Sequence, residues 1–361
     1  MKNPGTPTIA EVAASAGVSV ATASRALGGY GRVSEKTVAS VRAAAQRIGY
    51  RQNRLAQSMI TGRTNTIGVV CADVLSPFFA GVVRGITDAA AQAGYSVIIT
   101  NSDERLDSEI ATTQLLLDQR VDGLVLSPAD VRRVAHLKKA IDQGTPIVMV
   151  DRASSACPTD AVLIDGPGAT RDAVLHLFEK GHRRVAIAAE LSELPQDFAE
   201  SPAALERILD QDPFSVTPSL ARLGGYLAAH RRAEVPIDPS LLLRSGKYSA
   251  ASAFRAVDGF FGGGGAADAL IAVDNTMSLG AFRALRAAGK RVPDDISFIA
   301  FDNRDWTELV EPPVSVIAQP VYEIGFEAAR MLIDRMSGNV HQPRIVQLPA
   351  TFIERGSVAE R

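Results

Sequence analysis

Apolar residues recur at helical spacing near the start of the chain and in strand-like runs beyond residue 66. Ile9, Val12, Ala13 and Ala16 share one helix face. Thr8 before them and Glu11 three residues on form a capping box. Gly17 stops that helix and permits a tight turn, which Val18 plugs. Ser19 then caps a second helix over 20–27. Ala13 and Ala23 are small where two crossing helices approach closely. Ser34 caps a third helix striped by Val38, Val41, Ala45 and Ile48, and Gly49 ends it. Two short helices joined by a glycine-containing turn predict a helix-turn-helix, whose second helix would enter a DNA major groove.

From residue 66 onward, apolar runs alternate with helical stretches. Strands are predicted over 67–71, 97–100, 123–127 and 147–150, with helices over 78–93, 108–119 and 131–143. The pattern restarts after residue 160. Strands at 161–165, 185–189, 241–244, 270–273 and 297–301 alternate with helices at 169–180, 249–260 and 277–288. Such β-α-β order implies parallel sheets covered on both faces. Two similar halves imply two lobes with a ligand cleft at the carboxyl ends of the strands.

Charge is distributed unevenly along the chain. Residues 1–63 hold nine Lys/Arg and two acids, a net +7, while the remainder carries −9. A small basic segment on a mildly acidic body suits a polyanion-binding head or a solvated basic face. No apolar run approaches the 18 residues of a membrane span, and the N-terminus lacks a secretory pattern. Two distant cysteines, Cys71 and Cys157, exclude a disulfide scaffold and fit a reducing cytoplasm. The five histidines show no metal-ligand spacing. With no G-x-S-x-G elbow and no nucleophile–base pair, neither an enzyme nor a cofactor or metal is expected. Gly262–Gly265 lacks the Lys-Ser/Thr of a phosphate loop and reads as a surface turn.

The segments TIAEVAASAGVSVATASRAL and RVSEKTVASVRAAAQRIGYRQNRLAQSM resemble the head of the lactose/galactose-repressor (LacI/GalR) family over about sixty positions. The resemblance implies that Val20, Ala21 and Arg25 face base edges. Arg25 could pair bidentately with a guanine, and Val20 and Ala21 could touch thymine methyls. Thr8, Ser19, Thr22, Ser24, Ser34 and Thr37 would contact or orient the phosphate backbone. Asn53, Ala56 and Met59 would belong to a hinge helix entering the minor groove, with Met59 as the wedge. Two departures stand out: Met59 replaces the family's leucine, and Gln52 replaces its proline.

The resemblance continues through IGVVCADVLSPFFAGVVRGI, RVDGLVLSP, PIVMVDR, ARLGGY, AVDNTMSLGAFRAL and RVPDDISFIAFDN. It implies an all-α helix-turn-helix head (1–50), a hinge helix and linker (51–65), and an α/β periplasmic-binding-protein-like core of two doubly wound lobes. The first lobe would comprise 66–162 with 319–341, the second 163–318 with 342–361, and the chain would cross between them near Val162, Ala318 and Gln342. By position, Phe78, Phe79, Asp151, Arg222, Tyr248, Asp274 and Asp302 would bind an effector. One of the two phenylalanines is expected to be core packing only. Asp73, Arg152 and Asn275 are further candidates. An insertion of roughly twenty residues, about 190–218, with an extra helix expected over Pro202–Leu209, adjoins this site and bears on whether Arg222 keeps its place.

The expected protein is a cytoplasmic homodimeric transcriptional regulator of the repressor kind. Its partners would be a near-palindromic operator and a small-molecule effector, carbohydrate rather than purine, and it would not use a membrane. The alternative is a small-molecule-binding module with no regulatory DNA role.

Overall fold

The computed structural model describes residues 7–50, 62–212 and 216–361. It divides into two compact units: residues 1–66 with 119–122, and 67–118 with 123–361.

The head is three helices, α1 (Ile9–Ala16), α2 (Val20–Gly28) and α3 (Glu35–Arg47). The predicted capping box is formed. The Glu11 amide donates to Thr8 Oγ1 at 3.4 Å, and the Thr8 amide donates to the Glu11 carboxylate at 2.7 Å. Gly17 closes α1 at φ 67°, a left-handed conformation open to glycine. Val12, Ala13, Ala23, Ala26, Val41, Ala44 and Ala45 make the core. Alanines let three short helices approach closely enough to exclude water.

The second unit holds two six-stranded sheets. The first has the order β11-β5-β4-β3-β1-β2. Its strands are β1 (Thr66–Cys71), β2 (Ser96–Asn101), β3 (Gly123–Leu126), β4 (Ile147–Val150), β5 (Asp160–Ile164) and β11 (Ile345–Leu348). The second has the order β12-β10-β9-β8-β6-β7. Its strands are β6 (Val185–Ala189), β7 (Leu242–Arg244), β8 (Ala269–Ala272), β9 (Ser297–Phe301), β10 (Ser315–Ala318) and β12 (Thr351–Ile353). The order 5-4-3-1-2 therefore occurs twice, once per lobe. The outer sixth strands differ: β11 runs parallel to β5, and β12 antiparallel to β10. Central strands such as β3, β4, β6 and β8 are buried at every residue, which explains their unbroken apolar sequence.

The helices of this unit are α4 (Pro77–Gln92), α5 (Leu106–Asp118), α6 (Ala135–Asp142), α7 (Gly166–Glu179), α8 (Pro202–Leu209), α9 (Pro218–Ala233), α10 (Ala250–Gly262), α11 (Asn275–Ala287), α12 (Asp305–Leu309) and α13 (Val321–Met336). After β5 the chain leaves the first sheet and α7 packs against α9 of the second lobe; after β10 it returns, and α13 packs against α4 of the first. Both helix pairs meet at glycine. A Cβ on Gly325 would collide with the Val82 carbonyl, and one on Gly225 with the Pro167 carbonyl.

Two expectations are corrected. The third crossing lies after Leu348 rather than near Gln342, because Ile345–Leu348 pairs with β5 in the first sheet. The helix expected from 131 begins at Ala135, since Asp130 accepts hydrogen bonds from the Arg132 and Arg133 amides and holds a turn there. The extra helix expected over Pro202–Leu209 in the insertion forms with those bounds. This helix, α8, and the short turn Phe198–Glu200 bury Phe198, Leu205 and Ile208 in the second lobe's core.

Candidate functional site

The exposed face of α2 is built by its cap. Ser19 Oγ accepts from the Thr22 amide at 3.1 Å and lies 2.8 Å from the Thr22 hydroxyl. Ser34 and Thr37 repeat the arrangement at the start of α3, at 3.2 and 2.8 Å. Val20 is 48% exposed, and Ala21 and Arg25 are exposed with it. An apolar residue at an open helix start has no packing role here and is free to meet a base edge. Arg25 Nε donates to the Ala21 carbonyl at 3.2 Å, which steers its guanidinium along the helix. Ser24 Oγ lies 2.6 Å from the Tyr30 hydroxyl, so Tyr30 holds a residue expected at the backbone. No spacing in the chain points to that pairing. Asn53, Ala56 and Met59 lie outside the described residues.

The second site is the cleft between the lobes of the core. Phe78, Phe79, Asp151, Arg222, Tyr248, Asp274 and Asp302 all line one cavity of about 70 Å³. Arg152 also lines it; Asp73 and Asn275 do not. Asn275 instead accepts from the Trp306 indole N–H at 3.4 Å, and Asp73 caps its own turn at the Leu75 amide. Both phenylalanines reach the cavity, edge to face with centroids 5.0 Å apart, although Phe79 is otherwise buried. The cavity also takes in Ser76, Glu104, Glu190, Thr217, Pro218, Ser219 and Gln319, none of which sequence reasoning singled out.

Backbone geometry places several of these groups. Asp151 follows β4 and Asp302 follows β9, which occupy equivalent positions in the two sheets. Both are left-handed, at φ 66° and 71°, and Glu104 is at φ 56°. Aspartate tolerates this region better than most residues, yet it is still costly, and such strain concentrates at binding sites. Asp302 accepts from the Gln319 side-chain amide at 2.6 Å and from the Asn275 backbone at 3.3 Å. Asp274 caps α11 by accepting from the Met277 amide at 2.8 Å. Burial pushes its carboxyl up to about 7, and neighbouring Asp302 adds to the rise. Burial likewise raises Asp151 and Glu190 above the usual carboxylate range.

The two guanidiniums are already engaged. Arg152 donates to both Glu104 oxygens at 2.9 Å and lies 3.5 Å from Asp151. Burial works against its charge, and these carboxylates more than offset it. Arg222 is 5% exposed, donates to the Val273 carbonyl at 2.5 Å and stacks over Phe301 at 4.0 Å. A Cβ on Gly166 would sit 3.1 Å from its Nε, so glycine there leaves room for the guanidinium. The insertion thus leaves Arg222 at the cavity, and residues at its end, Thr217 and Pro218, join the wall.

A capped helix-turn-helix joined to a two-lobed α/β core with a polar interlobe cavity defines a ligand-responsive DNA-binding regulator. Comparison with known proteins places it more closely. Residues 8–53 match the bacterial regulatory proteins of the lacI family, and residues 174–358 match the periplasmic binding protein-like domain. Catabolite control protein A of Priestia megaterium is 30% identical over 342 residues, covering 95% of this chain and 96% of the relative. The HTH-type transcriptional repressor CytR of Escherichia coli (strain K12) is 31% identical, covering 92% and 90%. The structure of a transcriptional regulator CelR–cellobiose complex aligns with TM-score 0.69 and 30% identity, covering 97% of this chain and 99% of the other. The lac repressor dimer bound to operator and the anti-inducer ONPF aligns with TM-score 0.79 and 25% identity, covering 98% and 99%. The chain belongs to the LacI family of transcriptional regulators, and it is not an enzyme. Among the described residues, no helix is long and apolar enough to cross a membrane.

Proposed function

We propose that this regulator is a repressor that works as a homodimer in the cytoplasm, on a near-palindromic operator, under control of a sugar-like effector in the interlobe cavity. The observation that carries the reading is that one chain presents an open, capped recognition helix and a cavity walled by both lobes. Val20, Ala21 and Arg25 read base edges, with Arg25 pairing to a guanine. Thr8, Ser19, Thr22, Ser24, Ser34 and Thr37 set the head on the phosphates, and Asn53, Ala56 and Met59 serve the minor groove. Phe78, Phe79 and Tyr248 supply faces for a ring, while Asp151, Arg222, Asp274 and Asp302 bind its polar groups. The lac repressor was solved as a dimer on operator and CelR with cellobiose, which supports the dimer, the operator and the sugar. Effector binding couples to DNA through its differential affinity for two arrangements of the lobes.

The test is operator selection from fragmented genomic DNA, followed by anisotropy titration of the selected site. Arg25→Ala is expected to cost about 1–3 kcal/mol and to relax one base position. Unchanged affinity and specificity would remove Arg25 from the interface.

A further inference from the structure

The charge inside the cavity is lopsided. Among the described residues, five carboxylates (Glu104, Asp151, Glu190, Asp274 and Asp302) face two guanidiniums, and no lysine lines the wall. One carboxylate, Glu104, is bidentate on Arg152, and Asp151 sits beside the same guanidinium. The other three have no salt-bridge partner among the described residues. Asp274 and Asp302 are 8% and 5% exposed, and their hydrogen bonds come from amides, which carry no charge. Arg222 cannot serve them fully, being tied to Val273 and stacked on Phe301.

Arg222 is nineteen-twentieths buried and lines the cavity, with one guanidinium nitrogen held by the Val273 carbonyl. A further feature points to a ligand. Phe78 and half-exposed Tyr248 bring aromatic faces to the same space, and aromatic faces beside carboxylates favour a cation. A buried carboxylate with no cation is costly, and a ligand that supplies one relieves the cost. A phosphate or carboxylate ligand would instead meet the negative excess.

From this arrangement we infer that the effector carries a protonated amine on a hydroxylated frame, as an amino sugar does: the ammonium lies among Glu190, Asp274 and Asp302, and ring oxygens face Arg222. The inference rests on the cavity being the effector site, as proposed above.

The test is titration calorimetry of the full-length protein at low salt with D-glucosamine and the β-1,4-linked glucosamine disaccharide. Their uncharged counterparts, D-glucose and cellobiose, and the anionic glucose 6-phosphate complete the panel. The amines are expected to bind at least about tenfold more tightly than their neutral counterparts, with the advantage shrinking as salt rises. Asp302→Asn is expected to narrow that advantage, and Glu190→Gln, at a less buried position, to do so without threatening the fold. Neutral sugars or the phosphate binding as well as the amines would overturn the charge inference and leave the effector site standing. An advantage that survives both substitutions would overturn the placement of the ammonium. Failure of the whole panel to bind would overturn both the inference and the sugar-like effector reading.

Discussion

The two lobes share a strand order and differ in what they place along its carboxyl edge. After the fourth strand each has an aspartate in left-handed conformation, Asp151 in one and Asp302 in the other. After the third strand the first lobe has Ser127 and the second, one residue beyond Val273, has Asp274. Beyond the second strand the first lobe has Glu104, locked onto Arg152, and the second has Tyr248. The first lobe therefore compensates its own charge and adds aromatic faces. The second leaves its carboxylates for a ligand. A repeated scaffold supplies positions, and residue choice at those positions makes the site.

Packing is tested by comparing a glycine buried in a helix contact with one beside such a contact. Gly325→Ala pushes a methyl into the Val82 carbonyl across the α4–α13 contact and is expected to cost about 3 kcal/mol in chemical denaturation. Gly224→Ala in the second lobe meets nothing closer than the Ile208 carbonyl at 3.7 Å. It is expected to stabilise by about 0.5–1 kcal/mol through helix propensity. Similar losses at both positions would erase the contrast.

The paired aspartates come next. Asp302→Ala strands the Gln319 amide and the Asn275 N–H, with an expected loss of about 2 kcal/mol. Asp151→Ala breaks only a long contact to an arginine that keeps Glu104, and about 1 kcal/mol or less is expected. Equal losses in denaturant titrations would show the two positions to be equivalent after all.

A slope with pH is a separate test. Burial pushes the Asp274 carboxyl from an ordinary 3.8 up to about 7, with Arg222 opposing the rise and Asp302 adding to it. Between those values the folded state holds a proton that the unfolded state has released. Its contribution to stability therefore falls as pH rises from about 4 to about 7 and is flat above. Asp274→Asn keeps the cap on Met277 and is expected to remove this slope and raise Tm at pH 8. A wild-type slope that survives the substitution would assign it to another group.

The helices of the head were legible because caps and small residues act locally: Thr8 with Glu11, Ser19, Gly17, Ala13 and Ala23 are all within a few residues of their effect. Buried strands were legible from unbroken apolar runs. The crossing after Leu348 was not, because β11 is a half-exposed edge strand with a weak pattern. Strand-end residues were readable as pocket candidates by their place in a doubly wound fold. Glu190 directly follows β6 and Gln319 directly follows β10, so the same reasoning applies to them although they were not singled out; Glu104 lies in a turn beyond β2 that no spacing marks. The Ser24–Tyr30 contact likewise depends on the turn after α2, closed by Gly29 at φ 69°.

The most direct measurement of the central claim is operator affinity with and without a bound cavity ligand, in the wild type and in Arg222→Ala. The account predicts a 5–150-fold shift on ligand binding in the wild type, as expected of about 1–3 kcal/mol of coupling. It predicts unchanged ligand-free operator affinity and no shift in Arg222→Ala. A ligand that saturates the wild-type cavity without moving operator affinity, or a full response in Arg222→Ala, would contradict it.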